Sequence, residues 1–446
     1  MKYRSLLARA LAEAFAVGPW QAAPLRELAG QVLGAEPSWV APLVRAVRGK
    51  FSSPAEGEEG VLRVAAFIET RDVFQEAFHG RERPHIQRWL FRPPAMGPSR
   101  WPVPPASTLV ELAQLLEVDA GQLEWLADTR RFLRRATSPR LGHYHRVWMP
   151  KRNGGHRLIE RPKPLLKEVQ QRVLHRILDA IPPHECAEGF VRGHSPLSHA
   201  ARHTGSAALL CLDLEDFFTS IAYGRIMRVF RSAGYPLLVA RTLASLCTSA
   251  LPSTELSKMP RPALASDVPR HQRLRRNALQ QHLPQGAPTS PALANLCAFR
   301  LDLRLASAAR SIGARYSRYA DDLAFSGGPD FARRARDFAA LAAGIALDEN
   351  FDVNFRKTRV LRRATRQQLC GVVVNAHPNV PRDDYDRLKA ILTNCQRHGV
   401  ANQNRDGHAD FRSHLRGRVA WVTAVAPARG AKLLQIFRSI DWDSAG

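Results

Sequence analysis

Two adjacent carboxylates constrain this chain most. Asp321 and Asp322 stand between apolar and aromatic residues of the kind found in strands, from Arg315 to Ser326. Neighbouring side chains on a strand point to opposite faces, so two aspartates in mid-strand would drive one charge into a core. A tight turn removes the conflict, and residues 315–326 are read as two strands with the aspartates at their tip. Upstream, Ala207-Ala208-Leu209-Leu210-Cys211-Leu212 is an almost unbroken apolar run ending on Asp213, as in a buried strand that carries a carboxylate at its end. Brought together, Asp213, Asp321 and Asp322 repel one another, and a pair of divalent cations relieves the repulsion. Such a cluster suits two-metal phosphoryl transfer, with ions roughly 3.5–4 Å apart on the attacking and leaving oxygens. Ligands that are all oxygen favour two Mg²⁺ ions over Zn²⁺. A lone Asp-Asp pair is weak evidence, and Asp383-Asp384 is read as a solvated turn.

Charge points to the partner. The 446 residues carry 65 Lys and Arg against 40 Asp and Glu, a net +25. A surplus of that size is the footprint of a protein that works on polyphosphate, so nucleic acid is the expected ligand. Hydrophobic residues make up 45%, enough for two or three ordinary cores, which argues against intrinsic disorder. No apolar run approaches the ~18–20 residues of a membrane helix, and the start of the chain lacks a secretory signal pattern, so a soluble, cytoplasmic protein is expected. Cys186, Cys211, Cys247, Cys297, Cys370 and Cys395 are scattered without a C-x-x-C pair, which suggests free thiols rather than zinc or disulfides.

Along the chain, residues 3 to about 87 show helical amphipathic spacing, as in Leu6, Leu7, Ala10, Leu11, Ala14 and Phe15. Prolines 93, 94, 98, 102, 104 and 105 then mark a linker. Ser107 or Thr108 caps the next helix, with Glu111 as capping-box partner, and a short helix from about Gly121 to Thr129 follows. This pair is read as structural rather than as a DNA-reading helix-turn-helix. Val147-Trp148-Met149-Pro150 and Arg157-Leu158-Ile159 flank a basic hairpin tip at residues 151–155, and Leu165 to Ile181 is a strong helix. Residues 252–282, rich in Pro and Arg and without periodicity, are read as an insertion loop. Past Val380 the apolar spacing is helical again. The predicted organisation is a helical extension and linker at 1–105, a central catalytic region at 106–365 and a helical C-terminal domain at 366–446.

Three segments in order carry a family resemblance: Asp213-Leu214-Glu215-Asp216-Phe217-Phe218, Gln285-Gly286-Ala287-Pro288-Thr289-Ser290-Pro291 and Tyr319-Ala320-Asp321-Asp322-Leu323. They resemble the metal-binding strand, nucleotide-facing loop and catalytic hairpin of reverse transcriptases. More narrowly, Arg157-Leu158-Ile159 with Gln170-Gln171-Arg172, Gly189-Phe190-Val191-Arg192-Gly193-His194-Ser195, and Leu369-Cys370-Gly371-Val372-Val373-Val374-Asn375 are similar to segments of bacterial retron reverse transcriptases. The resemblance covers roughly residues 109–442. Two places depart from it. His199-Ala200-Ala201-Arg202-His203 stands where retron enzymes commonly carry Asn-Ala-x-x-His, and Leu369-Cys370-Gly371 stands where they tend to have Val-Thr-Gly. Both bear on RNA recognition and leave the polymerisation motifs intact.

The resemblance implies an α+β right-hand polymerase fold, with fingers and palm around a small antiparallel sheet, a helical thumb and a helical N-terminal extension. It implies that Asp213, Asp321 and Asp322 are the catalytic metal ligands, and that Asp216, Phe217 and Phe218 form the floor beneath an incoming dNTP. Phe218 would be the steric gate against a ribose 2′-hydroxyl. Gln285 and Gly286 would meet nucleotide and template, Arg157 the triphosphate, and Lys357 the leaving pyrophosphate. His199 and His203 are read as RNA contacts or helix packing, and Arg412, Arg416 and Arg418 as a basic RNA-binding surface. The implied activity is copying part of a structured noncoding RNA, primed from an RNA 2′-hydroxyl, to give branched msDNA tied to antiphage defence. Expected partners are that RNA, its DNA product, dNTPs and a retron effector, with a host ribonuclease H acting separately. The rivals are a group II intron-like or defence-associated reverse transcriptase, and a catalytically idle RNA-binding scaffold. Lack of a maturase or endonuclease extension after Trp442 counts against the intron type. The clustered carboxylates count against the last.

Overall fold

In the computed structural model, residues 3–79, 83–91, 95–135, 140–151, 155–262 and 264–442 are described. They fall into two compact units, Met1–Gly97 and Pro98–Gly446. The first unit holds α1 (Tyr3–Phe15), α2 (Ala22–Leu33), α3 (Val40–Lys50), α4 (Gly57–Glu69) and α5 (Asp72–Glu76). Its core gathers the apolar stripe of α1 around Leu25, Leu43, Val44, Ile68 and Phe74. The helical pattern expected as far as Gln87 stops at Glu76. Beyond it the chain returns along α2, where the Gln87 and Arg88 amides donate to the Val32 carbonyl. This unit carries 13 Lys and Arg against 10 Asp and Glu, so 22 of the 25 surplus positive charges belong to residues 98–446.

The second unit opens with α6 (Leu109–Leu115) and α7 (Ala120–Ala127), both packed on α11 (Leu237–Leu246) further along the chain. The cap of α6 is shared. Thr108 accepts from the Glu111 amide, while the Glu111 carboxylate takes the Ser107 amide. Next come the hairpin β1 (Tyr144–Pro150) and β2 (His156–Pro162), then α8 (Pro164–Arg176) and α9 (Pro196–Ala201). Of the expected basic hairpin tip, Arg152, Asn153 and Gly154 lie outside the described residues. The chain continues through β3 (Ala208–Asp213), α10 (Tyr223–Ser232), α11, α12 (Ser253–Leu256), α13 (Val268–Leu279), α14 (Ser290–Cys297) and α15 (Phe299–Arg310). It then forms the hairpin β4 (Ala314–Tyr319) and β5 (Asp322–Gly327), α16 (Pro329–Asp348), β6 (Arg359–Arg362) and the short hairpin β7 (Gln368–Leu369) and β8 (Val372–Val373). Three helices follow: α17 (Arg382–His398), α18 (Phe411–Val425) and α19 (Pro427–Arg438).

An antiparallel sheet in the order β4-β5-β3-β6 is the centre of this unit. Every residue of β3 is buried, which is why its sequence is apolar without alternation. Helix α16 covers one face. Leu209, Cys211 and Ala324 on the other face share a core with the β7–β8 hairpin and with α17, α18 and α19. Among the described residues no helix is long and apolar enough to cross a membrane.

Two readings need correction. Residues 252–282 are not a loop: α12 and α13 lie there, and α13 buries only Leu274 and Ala278. Two apolar anchors in a helix otherwise dominated by Arg leave too little periodicity to detect. Asp383 and Asp384 are not a turn but the first turn of α17, where the partial positive charge of the helix end favours carboxylates.

The hairpin β1–β2 is tied to the rest of the unit by a buried ion cluster. Glu160 on β2 is fully buried and accepts from Arg146 Nε (3.0 Å), Ser249 Oγ (2.7 Å) and His282 Nε2 (2.7 Å). Burial pushes this carboxyl up, but His282, Arg146 and Ser249 outweigh it and hold it at about 2. A depressed carboxyl stabilises the fold above its ordinary range, and the contribution fades as pH falls from about 4.3 toward 2. Glu160→Ala leaves the Arg146 guanidinium and the His282 ring without their buried carboxylate, so a stability loss of about 3–5 kcal/mol at pH 7 is expected in denaturant unfolding. The gap between variant and wild type should narrow below about pH 4.

Candidate active site

The sheet register brings the expected carboxylates together. Asp213 ends β3 directly opposite Asp322, the first residue of β5, and Asp321 lies in the turn between β4 and β5. The turn is tight because Ala320 takes a left-handed φ of 57°. The Leu214 amide donates to the Asp321 carbonyl at 2.9 Å, locking the turn to the chain just past β3. Asp322 is exposed, yet its carboxyl is pushed up to about 7, first by desolvation against the surrounding protein and then by the charges of Asp321 and Asp213. Asp321 is raised as well, by burial first and by Asp213 second, with Lys357 and Arg157 pulling the other way. Among the described residues no three Asp, Glu, His or Cys side chains close into a cage for a metal ion. Lys357 Nζ instead donates to Asp213 Oδ2 at 2.7 Å, and Asn354 Nδ2 donates to Oδ1 at 3.2 Å.

The cleft beside these aspartates has a volume of about 220 Å³ and is lined by Lys151, Arg157, Phe190, Phe218, Gln285 and Asp321, among others. The two phenylalanines after Asp216 divide their work. Phe217 is buried against Phe351, whereas Phe218 is only partly buried and faces Phe190 with 6.0 Å between ring centroids. Asp216 has a left-handed φ of 47° and pairs with Lys151 from the β1–β2 hairpin at 3.0 Å, while its Oδ2 is buried without a hydrogen-bond partner. Its neighbour Glu215 is held by Arg270 and Arg273 of α13. Gln285 is anchored through its carbonyl, which accepts from the Glu160 amide at 2.9 Å. Gly286 has φ +127°, and a Cβ there would stand 3.0 Å from the Glu160 carbonyl oxygen. The ion cluster around Glu160 therefore sets the position of the Gln285-Gly286 loop.

Two expected residues lie elsewhere. His199 and His203 are both fully buried, so neither can touch RNA. His203 bridges Ser317 of β4 and Ser326 of β5, and Ser317 also meets His199 Nδ1. Burial lowers His199 to about 4 and His203 well below its usual value, so both are neutral near pH 7. They are packing for the hairpin that carries Asp321 and Asp322. Arg412 and Arg416 are exposed on α18, and Arg418 is half-buried beside them, away from the cleft.

Other residues at the site escape a reading along the chain. Asn354 holds Asp213 through both backbone and side chain, and only its closeness to Lys357 hinted at it. Phe190, 49% exposed with φ 62°, carries no signal of its own in the sequence. Arg318 and Asp302 form a fully buried ion pair directly beneath the turn.

The site's parts have relatives. The sequence model of the family described as Reverse transcriptase (RNA-dependent DNA polymerase) matches residues 149–374, half of the chain. The retron Mx65 reverse transcriptase of Myxococcus xanthus is 37% identical over 335 residues, 75% of this chain and 72% of that protein. The retron Mx162 reverse transcriptase of the same organism is 34% identical, covering 72% of this chain and 65% of its own length. The retron Ec86 reverse transcriptase of Escherichia coli is 30% identical over 64% of this chain and 77% of its own. The chain is a reverse transcriptase, an RNA-directed DNA polymerase. Within that class it belongs to the retron reverse transcriptases, and the mixed helix and strand architecture is that of a right-hand polymerase.

Gly189 presses against the turn from the side, where an added Cβ would stand 2.4 Å from the Ala320 nitrogen, a backbone atom that cannot swing away. Gly189→Ala should therefore displace Asp321 and lower primer extension by tenfold or more, with a stability loss of about 1–3 kcal/mol. Steady-state extension and thermal unfolding measure the two effects.

Proposed function

We propose that Asp213, Asp321 and Asp322 hold two Mg²⁺ ions at the polymerase centre and that the enzyme copies part of a structured noncoding RNA into branched msDNA, primed from an RNA 2′-hydroxyl. The single observation that carries the metal assignment is the register of Asp213 opposite Asp322 with Asp321 in the adjoining turn. Three oxygen-donor side chains, with the Asp321 and Asp322 carboxyls raised in part by the neighbouring acids, fit a hard divalent cation. An ion held by Asp213 would share its carboxylate with Lys357 Nζ on Oδ2 or take that place. When bound, the ions supply charge neutralisation and an activated primer hydroxyl. Residues 144–162 act as fingers, the four-stranded sheet and its helices as palm, and α17, α18 and α19 as thumb. Lys151 and Arg157 line the cleft where a triphosphate would lie, and Lys357 stands ready to give a proton to the departing pyrophosphate.

The priming reaction, the bound RNA and a role in antiphage defence rest on kinship with proteins named for retrons. Arg412, Arg416 and Arg418 of α18 provide a basic surface for that RNA, and removal of template falls to a separate ribonuclease H. Purification with bound nucleic acid, followed by ribonuclease and debranching treatment, tests the retron reading. A discrete DNA released from RNA by debranching supports it, and only unbranched or heterogeneous nucleic acid refutes it.

Three outcomes follow from the site. Asp321→Asn with Asp322→Asn should abolish extension while RNA binding persists, and retained synthesis would remove the metal assignment. Phe218→Val should let ribonucleotides in, since the ring facing the cleft would no longer crowd a 2′-hydroxyl; selectivity unchanged in single-nucleotide incorporation would free Phe218 of that role. A raised carboxyl favours folding while protonated, and for Asp322 that contribution fades as pH rises from about 4 through about 7. Mg²⁺ binds the deprotonated form. It should therefore raise the melting temperature more at pH 8 than at pH 6, and equal shifts would contradict the assignment.

A further inference from the structure

Arg318, the second residue before Ala320, is the bulkiest side chain buried without exposure. Its guanidinium is used on three sides. Nε and Nη2 donate to the two oxygens of Asp302 on α15, at 2.8 and 2.6 Å. Nη1 donates to Asn295 Oδ1 on α14 at 2.9 Å and to the Ala320 carbonyl at 3.0 Å. Asn295 passes the connection on, its Nδ2 donating to the Gly189 carbonyl at 2.9 Å. The backbone of Arg318 completes the frame: its amide donates to Cys186 O and its carbonyl accepts from the Glu188 amide. The guanidinium also lies 5.6 Å from the ring centroid of Phe217, beneath the floor of the cleft.

We propose that Arg318 is a positioning residue for polymerisation, and that the Asp302–Arg318–Asn295 cluster holds the Ala320-Asp321 turn in its working shape. A left-handed conformation is unfavourable for a residue with a Cβ, so the turn keeps it only where the surroundings fix both of its carbonyls. Arg318 fixes that of Ala320, and the Leu214 amide fixes that of Asp321. With both carbonyls bound, the carboxyl groups of Asp321 and Asp322 point toward Asp213 rather than turning back on their own backbone. A buried ion pair contributes little net stability by itself, so its use here is explained better by geometry than by stability. Lysine would not serve, because it lacks the planar fork that reaches a carboxylate, an amide and a carbonyl at once.

The proposal rests on Asp321 and Asp322 being the carboxylates of the reacting centre. Arg318→Met combined with Asp302→Asn removes both charges and leaves an acceptor for the Tyr316 hydroxyl, which now donates to Asp302. This double variant should keep its circular dichroism and melt cooperatively, yet lose at least tenfold in kcat with the KM for dNTP changed less than about twofold. Amide exchange of residues 187–190 and 319–323 should quicken while that of β3 does not. Should the double variant fail to fold, Asn295→Ala, which spares the ion pair, should show the same pattern at about threefold. A folded variant with wild-type kcat, or a rise in KM alone, would overturn the proposal. Activity surviving Asp321→Asn with Asp322→Asn would instead overturn the metal assignment, so the two failures are distinguishable.

Discussion

Repulsion between carboxylates at the end of one small sheet governs the arrangement of the second unit. Asp213 and Asp322 are cross-strand partners, and like charges directly opposite on neighbouring strands destabilise the pair. The surroundings tolerate this with fixed cations and donors beside solvent. Lys357 and Asn354 hold Asp213, while buried Arg318, neutralised by Asp302, grips the turn without adding net charge. The strain of the site is thereby confined to a few residues with left-handed φ, Ala320 and Asp216 among them.

A second ion cluster does for the Gln285-Gly286 loop what Arg318 does for the Ala320-Asp321 turn. Glu160 collects Arg146, Ser249 and His282, and its own backbone amide carries the Gln285 carbonyl. The β1–β2 hairpin, α13 and the Gln285-Gly286 loop thus converge on the strip Glu215-Asp216, where Arg270, Arg273 and Lys151 neutralise the acids. Each carboxylate from Asp213 to Asp216 has a basic partner from a different segment.

Much of this was legible along the chain. The buried strand ending at Asp213, the hairpin around Asp321 and the helix cap at Thr108 follow from local periodicity and turn chemistry. What misled was equally local. His199 and His203, four residues apart among basic neighbours, look like a contact surface, yet they serve as hydroxyl-bonded packing under β4 and β5. Helix α13 hid because only Leu274 and Ala278 among its residues are buried.

By itself the sequence determined most of the strands and helices, where the three aspartates fall, and a charge balance suited to polyanions, since hydrophobic period, turn residues and net charge are properties of neighbours or of the sum. Tertiary structure alone decided the partners. Lys357 lies 144 residues from Asp213, Ser317 lies 114 from His203, and His282 lies 122 from Glu160. Pairing over such separations leaves no periodic trace, because it is fixed by the register of β3, β5 and β6 and by the packing of helices around them. Which arginine of the many is buried, which phenylalanine faces the cleft and which histidines stay neutral are therefore settled only when the chain closes on itself.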